Sequence, residues 1–462
     1  MISVVDDILR ETLLFAAFGF LIGGVDDLAV DIAFGVRWLR RWCAGRGRAI
    51  ALAELPVPKQ SGRIAVFVAA WDEADVVGAM LETALARFEH RDYRIYVGTY
   101  PNDPATIAIV ADVAARDSRV RLVIGSSDGP TTKSACLNTV WAALLREEAG
   151  SGNVARMIVL HDAEDVVHPA ELRVFDALIG PHQLVQLPIL PLVDRGSRLV
   201  SGHYCDEFAE SHAKQLVVRQ ALGAGLPLAG VGCAIAREAL DALAAARGDG
   251  PFDPASITED YELGLAVSAL GGSGLMARVR EYRGGPLVAV RAYFPATLDA
   301  AVRQKSRWML GIALAGWDRI GWGAWGDWRE HWMRMRDRRA PLAVLVLAAA
   351  YIALVSWALA GLLHRATGTA PAPLPAPAWL LSLNAVLLGW RLAMRMVFTG
   401  LGYGWRESLW SIPRALVANL ISLLAARRAM TRYVAMLHGR AVAWEKTAHH
   451  FPADMAVARS TE

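Results

Sequence analysis

From residue 63 onward, short unbroken apolar runs alternate with longer stretches whose apolar positions recur every three or four residues. Residues 63–70 (RIAVFVAA) read as a buried strand and 74–87 as a helix; 93–98 is a second strand and 104–116 a second helix. Residues 120–125 and 157–160 are further strands. Strands alternating with helices predict an α/β unit, a mainly parallel sheet with crossover helices on both faces. Ligands of such sheets bind beyond the carboxyl ends of the strands, and the polar clusters of this chain fall at those ends.

The flanks carry a different pattern. Residues 12–25 are apolar and uncharged, but short for a full crossing, and Asp26, Asp27 and Asp31 follow. The expectation is a short membrane helix, then an amphipathic interfacial element over 28–42. No small-residue cleavage site follows, so a removable signal peptide is not expected. Arg37, Arg40, Arg41, Arg46 and Arg48 place what comes next on the cytoplasmic side. Residues 341–363 form an apolar stretch long enough to cross a bilayer, and the Pro/Ala-rich 367–377 is a loop. Residues 378–397 form a second crossing in which Arg391 and Arg395 must snorkel or face protein. Pro413, Arg414 and Asn419 make 408–426 an interfacial helix rather than a crossing. Between the α/β unit and the hairpin, Trp317, Trp322, Trp325, Trp328 and Trp332 crowd a stretch ending in Arg334, Arg336, Arg338 and Arg339, a composition suited to the interface. The expected organisation is therefore 1–45 membrane and interfacial helices, 60–310 cytoplasmic α/β domain, 311–340 interfacial segment, 341–398 transmembrane hairpin, and 405–462 interfacial helix and tail.

Bulk composition agrees with a soluble domain carrying membrane segments: 54% hydrophobic, 20% charged, over 462 residues. A net charge of +3 gives no reason to expect a nucleic-acid partner. Cys43, Cys136, Cys205 and Cys233 lack paired or metal-ligand spacing and read as thiols of a reducing compartment.

Candidate chemistry lies at the strand ends. Asp162, Glu164 and Asp165 emerge from the strand at 157–160, where oxygen donors suit a hard cation, Mg²⁺ or Mn²⁺, bridging diphosphate oxygens. An acidic helix start would look the same, and His161 and His168 beside the cluster suit folding better than zinc. Asp72 and Glu73 follow the first strand and Asn102-Asp103 the second, positions for base and ribose contacts, although Asp103 before Pro104 equally suits a helix cap. Lys133, near a helix start, can neutralise phosphate or simply be a surface charge. Gly230-Val231-Gly232 allows close approach of an acceptor or a plain tight turn. Thr258 can cap the next helix, leaving Asp260 in its first turn as a general base. Gln304, Arg307 and Trp308 share one helical stretch, where guanidinium suits diphosphate and indole suits a sugar ring.

These residues together resemble the family 2 glycosyltransferases, inverting enzymes that include the cellulose and hyaluronan synthases. Asp72-Glu73 corresponds to the opening acidic motif and Asn102-Asp103 to the base-contacting acid. Lys133 with Leu137-Asn138 corresponds to the phosphate-side lysine motif, and Asp162-Ala163-Glu164 to the metal-binding DxD. Thr258-Glu259-Asp260 matches TED, and Gln304 to Trp308 matches QxxRW. Because glutamate replaces the second Asp of DxD, the second metal carboxylate is open between Glu164 and Asp165. Across nearly the whole chain, the sequence resembles the glycosyltransferase part of the bacteriophage adsorption protein B (NfrB-like) family. That likeness rests on Tyr100 to Asp103, His161 to Asp165, Asp206-Glu207-Phe208-Ala209-Glu210, and Trp444-Glu445-Lys446-Thr447-Ala448-His449. Those relatives carry a further C-terminal regulatory domain, whereas this sequence ends at Glu462.

The resemblance implies a nucleotide-diphospho-sugar transferase type-A fold and a metal-dependent transferase, with Asp260 and Glu259 catalytic. A nucleotide-sugar donor, first of all a UDP-sugar, would meet Asp72, Glu73, Asn102, Asp103, Lys133, Asp162, Gln304, Arg307 and Trp308. It implies a glycan or lipid-linked acceptor, contact with membrane lipid, an export partner, and a place in the bacterial inner membrane in cell-surface or exopolysaccharide synthesis. Processive synthesis and single addition both remain open, as does a non-catalytic adsorption scaffold on the same fold.

Overall fold

The computed structural model describes residues 2–45, 49–58, 62–370, 373–440, 450–452 and 455. Four parallel strands open the α/β unit: β1 (Ile64–Ala69), β2 (Tyr93–Thr99), β3 (Val120–Ile124) and β4 (Met157–Asp162). Then come β5 (Leu184–Gln186), β6 (Cys233–Ala236) and β7 (Gly274–Met276). The sheet order is β3-β2-β1-β4-β6-β5-β7, and β6 runs antiparallel to both neighbours. β1 is buried over its whole length, which is why it reads as a continuous apolar run instead of an alternating one.

After the N-terminal helix α1 (Ile2–Cys43), helices α2 (Ala74–Arg87), α3 (Pro104–Arg116) and α4 (Lys133–Ser151) connect the first strands. The bounds of α2 and α3 match the apolar spacing in the sequence. Then follow α5 (Glu171–Leu178), α6 (Gly202–Glu210), α7 (Leu216–Leu222), α8 (Arg237–Arg247), α9 (Glu259–Ala269) and α10 (Leu298–Trp308). A π-helical turn over Ser211–Gln215 joins α6 to α7, and a second over Met309–Ala315 follows α10. The chain continues through α11 (Gly316–Ile320) and α12 (Trp328–Arg338) to three long helices: α13 (Ala340–Thr367), α14 (Ala378–Tyr403) and α15 (Trp405–Leu437).

Four helices, α1, α13, α14 and α15, are long and apolar enough to cross a membrane. The helices of these flanks run longer than the sequence pattern suggests. The N-terminus is one unbroken 42-residue helix, not a short membrane helix followed by a separate element. Its acidic residues do not end it because they have partners: Trp332 Nε1 donates to Asp26 at 2.6 Å, Arg336 and Arg339 pair with Asp26 and Asp27, and Arg391 pairs with Asp27. Gly24 lets α14 approach, since a Cβ there would stand 2.9 Å from Leu387. Residues 408–426 belong to a 33-residue helix that passes through Pro413 without ending. Arg414 on it is fully buried, Nη1 lying 3.1 Å from Asp206 and Nη2 pairing with Glu407, so the charge is matched within protein. Arg395 likewise faces protein, pairing with Glu210 at 3.2 Å, whereas Arg391 is exposed and pairs with Asp27.

The tryptophan-rich segment is less uniform than its composition implies. Trp325 is 98% exposed and Trp328 is exposed, but Trp317 and Trp322 meet edge to face, and the Arg338 guanidinium lies against both, 5.2 and 4.6 Å from their ring centres. Cys136, Cys205 and Cys233 are buried free thiols, and Cys43 is exposed. Arg46, Arg48 and the run 444–449 lie outside the described residues.

Candidate active site

A cavity of about 540 Å³ opens at the carboxyl ends of β1 and β4. Its floor is the acidic turn after β4. Asp162, Glu164 and Asp165 all line it, but their settings differ. Asp165 turns back into the protein: its Oδ2 lies 2.8 Å from His161 Nδ1 and accepts from the Asp162 N–H at 3.0 Å. His161 Nε2 reaches Glu171 at 2.7 Å, so a fully buried imidazole bridges two carboxylates. Burial alone would depress His161, yet Glu171 and Asp165 outweigh it and raise it to about 10. This is the folding role the sequence suggested for His161; it ties one oxygen of Asp165 to the imidazole, while Glu164 and Asp162 line the cavity beside it.

Thr132 caps α4, its Oγ1 accepting from the Ala135 N–H at 3.2 Å, and this sets Lys133 on the first turn. Lys133 is no surface charge. Its ammonium lies 2.5 Å from Asp162 and 3.5 Å from Glu259, bridging the acidic turn and the first turn of α9. Burial works against the charge, but Asp162, Glu259 and Asp260 together raise its pKa. Asn138, one turn on, holds the loop before α9, donating to Phe252 O at 2.7 Å and accepting from its N–H at 3.1 Å.

Asp260 points into the same cavity from the start of α9. Burial, then the neighbouring Glu259, raise its pKa to about 7, with Lys133 opposing and Asp162 adding to the rise. Its Oδ1 accepts from the Tyr261 N–H at 2.8 Å. Gly230 answers the question its motif left open: with φ +77°, it sits where a Cβ would stand 2.8 Å from Asp260 Oδ2. The glycine makes room for this carboxylate. Thr258 makes no side-chain cap, contrary to expectation; it is packed instead against Gly311, where a Cβ would come within 2.5 Å of its Oγ1.

Gln304, Arg307 and Trp308 of α10 form the opposite wall. Trp308 meets Tyr204 edge-on at 5.9 Å and Phe208 at 6.3 Å, and Lys305, paired with Glu207, lies 5.2 Å from its ring centre. The first motif is only partly inside: Glu73 lines the cavity, whereas Asp72, Asn102 and Asp103 stand beside it. Asp103 caps α3 through Thr106 N (3.2 Å) and accepts from the Asp72 N–H at 2.6 Å; Asp72 has φ +55°. Asn102 clasps Gly129, donating to its carbonyl at 2.7 Å and accepting from its N–H at 2.8 Å. The sequence reading missed Arg303, Asp194 and the aromatic wall of Tyr293 and Phe294. It also missed Arg432 and His450, which reach the cavity from α15 and the tail. Arg303, one turn before Arg307, was findable; Arg432 carries no local signal.

No cluster of three metal-ligating side chains occurs among the described residues. The oxygen-only pair Asp162 and Glu164 nonetheless fits a hard cation that takes its remaining ligands from diphosphate and water. The Lys133 ammonium on Asp162 shows that this carboxylate already attracts a cation.

Comparison with known proteins identifies the family and the fold. Residues 61–311 match the family model described as glycosyltransferase like family 2. The bacteriophage adsorption protein B of Escherichia coli K12 is 34% identical over 95% of this chain, as is the bacteriophage N4 adsorption protein B of Escherichia coli O157:H7. The chain spans 62% of the length of each. Among solved structures, a mannosyltransferase from Pyrobaculum calidifontis in complex with GDP-Man and Mn²⁺ aligns with a TM-score of 0.55 at 17% identity, over 92% of this chain and 99% of its own. That likeness shows the type-A glycosyltransferase fold, with apolar helices added at both ends. The chain belongs to glycosyltransferase family 2.

Proposed function

We propose that the chain is an inverting, metal-dependent glycosyltransferase that moves a sugar from a nucleotide-sugar to an acceptor hydroxyl at the bacterial inner membrane. One observation carries this reading. Asp260, a carboxylate raised to about 7, faces the same cavity as Asp162, Lys133 and Arg307. Asp260 accepts the acceptor hydroxyl proton while that oxygen attacks the anomeric carbon, and the bond from that carbon to the diphosphate breaks on the opposite face. Glu259 keeps Lys133 in place, and Lys133 and Arg307 receive the negative charge gathering on the departing diphosphate. A divalent ion held by Asp162 and Glu164 would add Lewis-acid stabilisation of that diphosphate. Trp308 with Phe208 and Phe294 offers an aromatic wall for the acceptor. Asp72, Glu73, Asn102 and Asp103 hold the nucleotide end, Asn102 and Asp103 by bracing the loops around it.

The donor to test first is a UDP-sugar, and the acceptor a glycan or lipid-linked glycan of cell-surface or exopolysaccharide synthesis, with an export partner completing the product's path. Arg37, Arg40 and Arg41 at the end of α1 and Arg336 and Arg339 just before α13 lie, along the chain, between the apolar stretches and the catalytic domain, which supports a cytoplasmic site. The name of the Escherichia coli relatives favours one rival, a scaffold for phage adsorption without catalysis. Purified protein in detergent, given a nucleotide-sugar panel with Mn²⁺ or Mg²⁺, separates the two. The transferase reading expects metal-dependent release of nucleoside diphosphate, lost in Asp260→Asn with nucleotide binding kept. Near-normal turnover in that variant, or silence across the panel, would overturn it.

A further inference from the structure

The base-bearing helix α9 is held from outside the α/β unit. Tyr261, immediately after Asp260, is buried, and its hydroxyl donates to Asp337 on α12 at 2.7 Å. The same Asp337 carboxylate receives both bonds of a fork from Arg219 Nη1, at 2.8 and 2.7 Å. Arg219, itself buried, also donates to Gly225 O at 2.5 Å, and Glu330 of α12 accepts from the Gly225 N–H at 3.0 Å. Glu262, the residue after Tyr261, pairs with Arg319 of α11 at 3.0 Å. Helix α12 is fixed in turn: Arg336, the residue before Asp337, pairs with Asp26 and Asp27 of α1. A chain of contacts thus runs from a membrane-type helix through α12 to the residue whose N–H meets Asp260 Oδ1.

We infer that Asp337 is a positioning residue for the reaction, holding Tyr261, and through it the Asp260 carboxylate, in the setting the transfer requires. The inference rests on the assignment of Asp260 as base. Asp337 lies outside the cavity lining, so it acts through the residues it holds, Tyr261 first and Arg219 beside it. Release of the hydroxyl lets the first turn of α9 loosen, changing the local backbone angles that set Asp260 Oδ1 against the Tyr261 N–H. The Tyr261 N–H then leaves Asp260 Oδ1, and the carboxylate loses both its aim and the donor that favours its ionised form. Glu259, Lys133 and Asp162, the other charged groups facing Asp260, are untouched by the change.

Two variants test it in full-length protein in detergent micelles: Tyr261→Phe, which keeps the Arg219–Asp337 pair, and Asp337→Asn, which weakens it. Both are expected to lose about tenfold or more in kcat. The acid limb of the rate–pH profile should move upward, while stabilisation by UDP or GDP with Mn²⁺ stays at the parent level. An unchanged kcat and acid limb in folded Tyr261→Phe would overturn the inference. So would a fall in kcat matched by lost nucleotide stabilisation, because that marks general damage. Asp260→Asn runs alongside: if that variant still turns over, the base assignment has failed, and not merely its support.

Discussion

Gly230→Ala is the sharpest probe of the site, because it perturbs the base without touching its chemistry. The new Cβ would stand 2.8 Å from Asp260 Oδ2 and 3.4 Å from its Cγ. Ordinary contact begins near 3.4 Å, so the carboxylate oxygen must retreat by about 0.6 Å. The obstacle is the end of a side chain, so the protein can still fold, at a cost of about 1–2 kcal/mol for an alanine held at φ +77°. A misplacement of about 1 Å costs about 100-fold in rate, which puts this variant on the order of tenfold slower. Gly232→Ala is the matched control: it too has positive φ, but its Cβ would meet Val290, not Asp260. The assay is nucleoside diphosphate release per folded molecule, with folding measured by thermal melting. Both variants should melt lower, and Gly230→Ala alone should lose kcat at unchanged nucleotide binding. Parental turnover in folded Gly230→Ala would show that the position of Asp260 does not govern the rate.

Other outcomes follow from the same geometry. A base works only when ionised, and burial with Glu259 raises Asp260 to about 7, so kcat/KM should climb as pH rises through about 7 and then level off; a flat profile from about pH 5.5 to about 8 would contradict this. Lys133→Met removes the cation between Asp162 and Glu259, and nucleotide-induced thermal stabilisation should fall sharply, a result that parental stabilisation would refute. Chelation with EDTA should abolish nucleoside diphosphate release and added Mn²⁺ restore it; full activity after exhaustive chelation would remove the metal from the scheme. Arg414→Met strands Asp206 and Glu407 in the interior, which costs about 3–5 kcal/mol, and an unaltered melting temperature would show that this pair does not dock α15 on α6.

Local pattern was enough for much of this protein. The apolar run at 63–70, the period of 74–87 and 104–116, and the polar residues just past each strand fall where they do because burial and hydrogen bonding act over a few residues. The antiparallel β6 was not legible, because pairing direction is set by neighbours distant in sequence. The N-terminal helix ran on past its acidic residues for a similar reason: Asp26 and Asp27 find arginines some 300 residues later. Within the site, sequence named the residues that gather at the cavity but could not rank them. Asp162 and Asp165 look alike as letters, and only the packing shows that one meets Lys133 while the other is tied to the buried His161. Residue type determines which charges and donors a chain can offer. Which of them face one another, and so which become acid, base or anchor, depends on long-range packing that brings β4 and the ends of α4, α9 and α10 to a common edge.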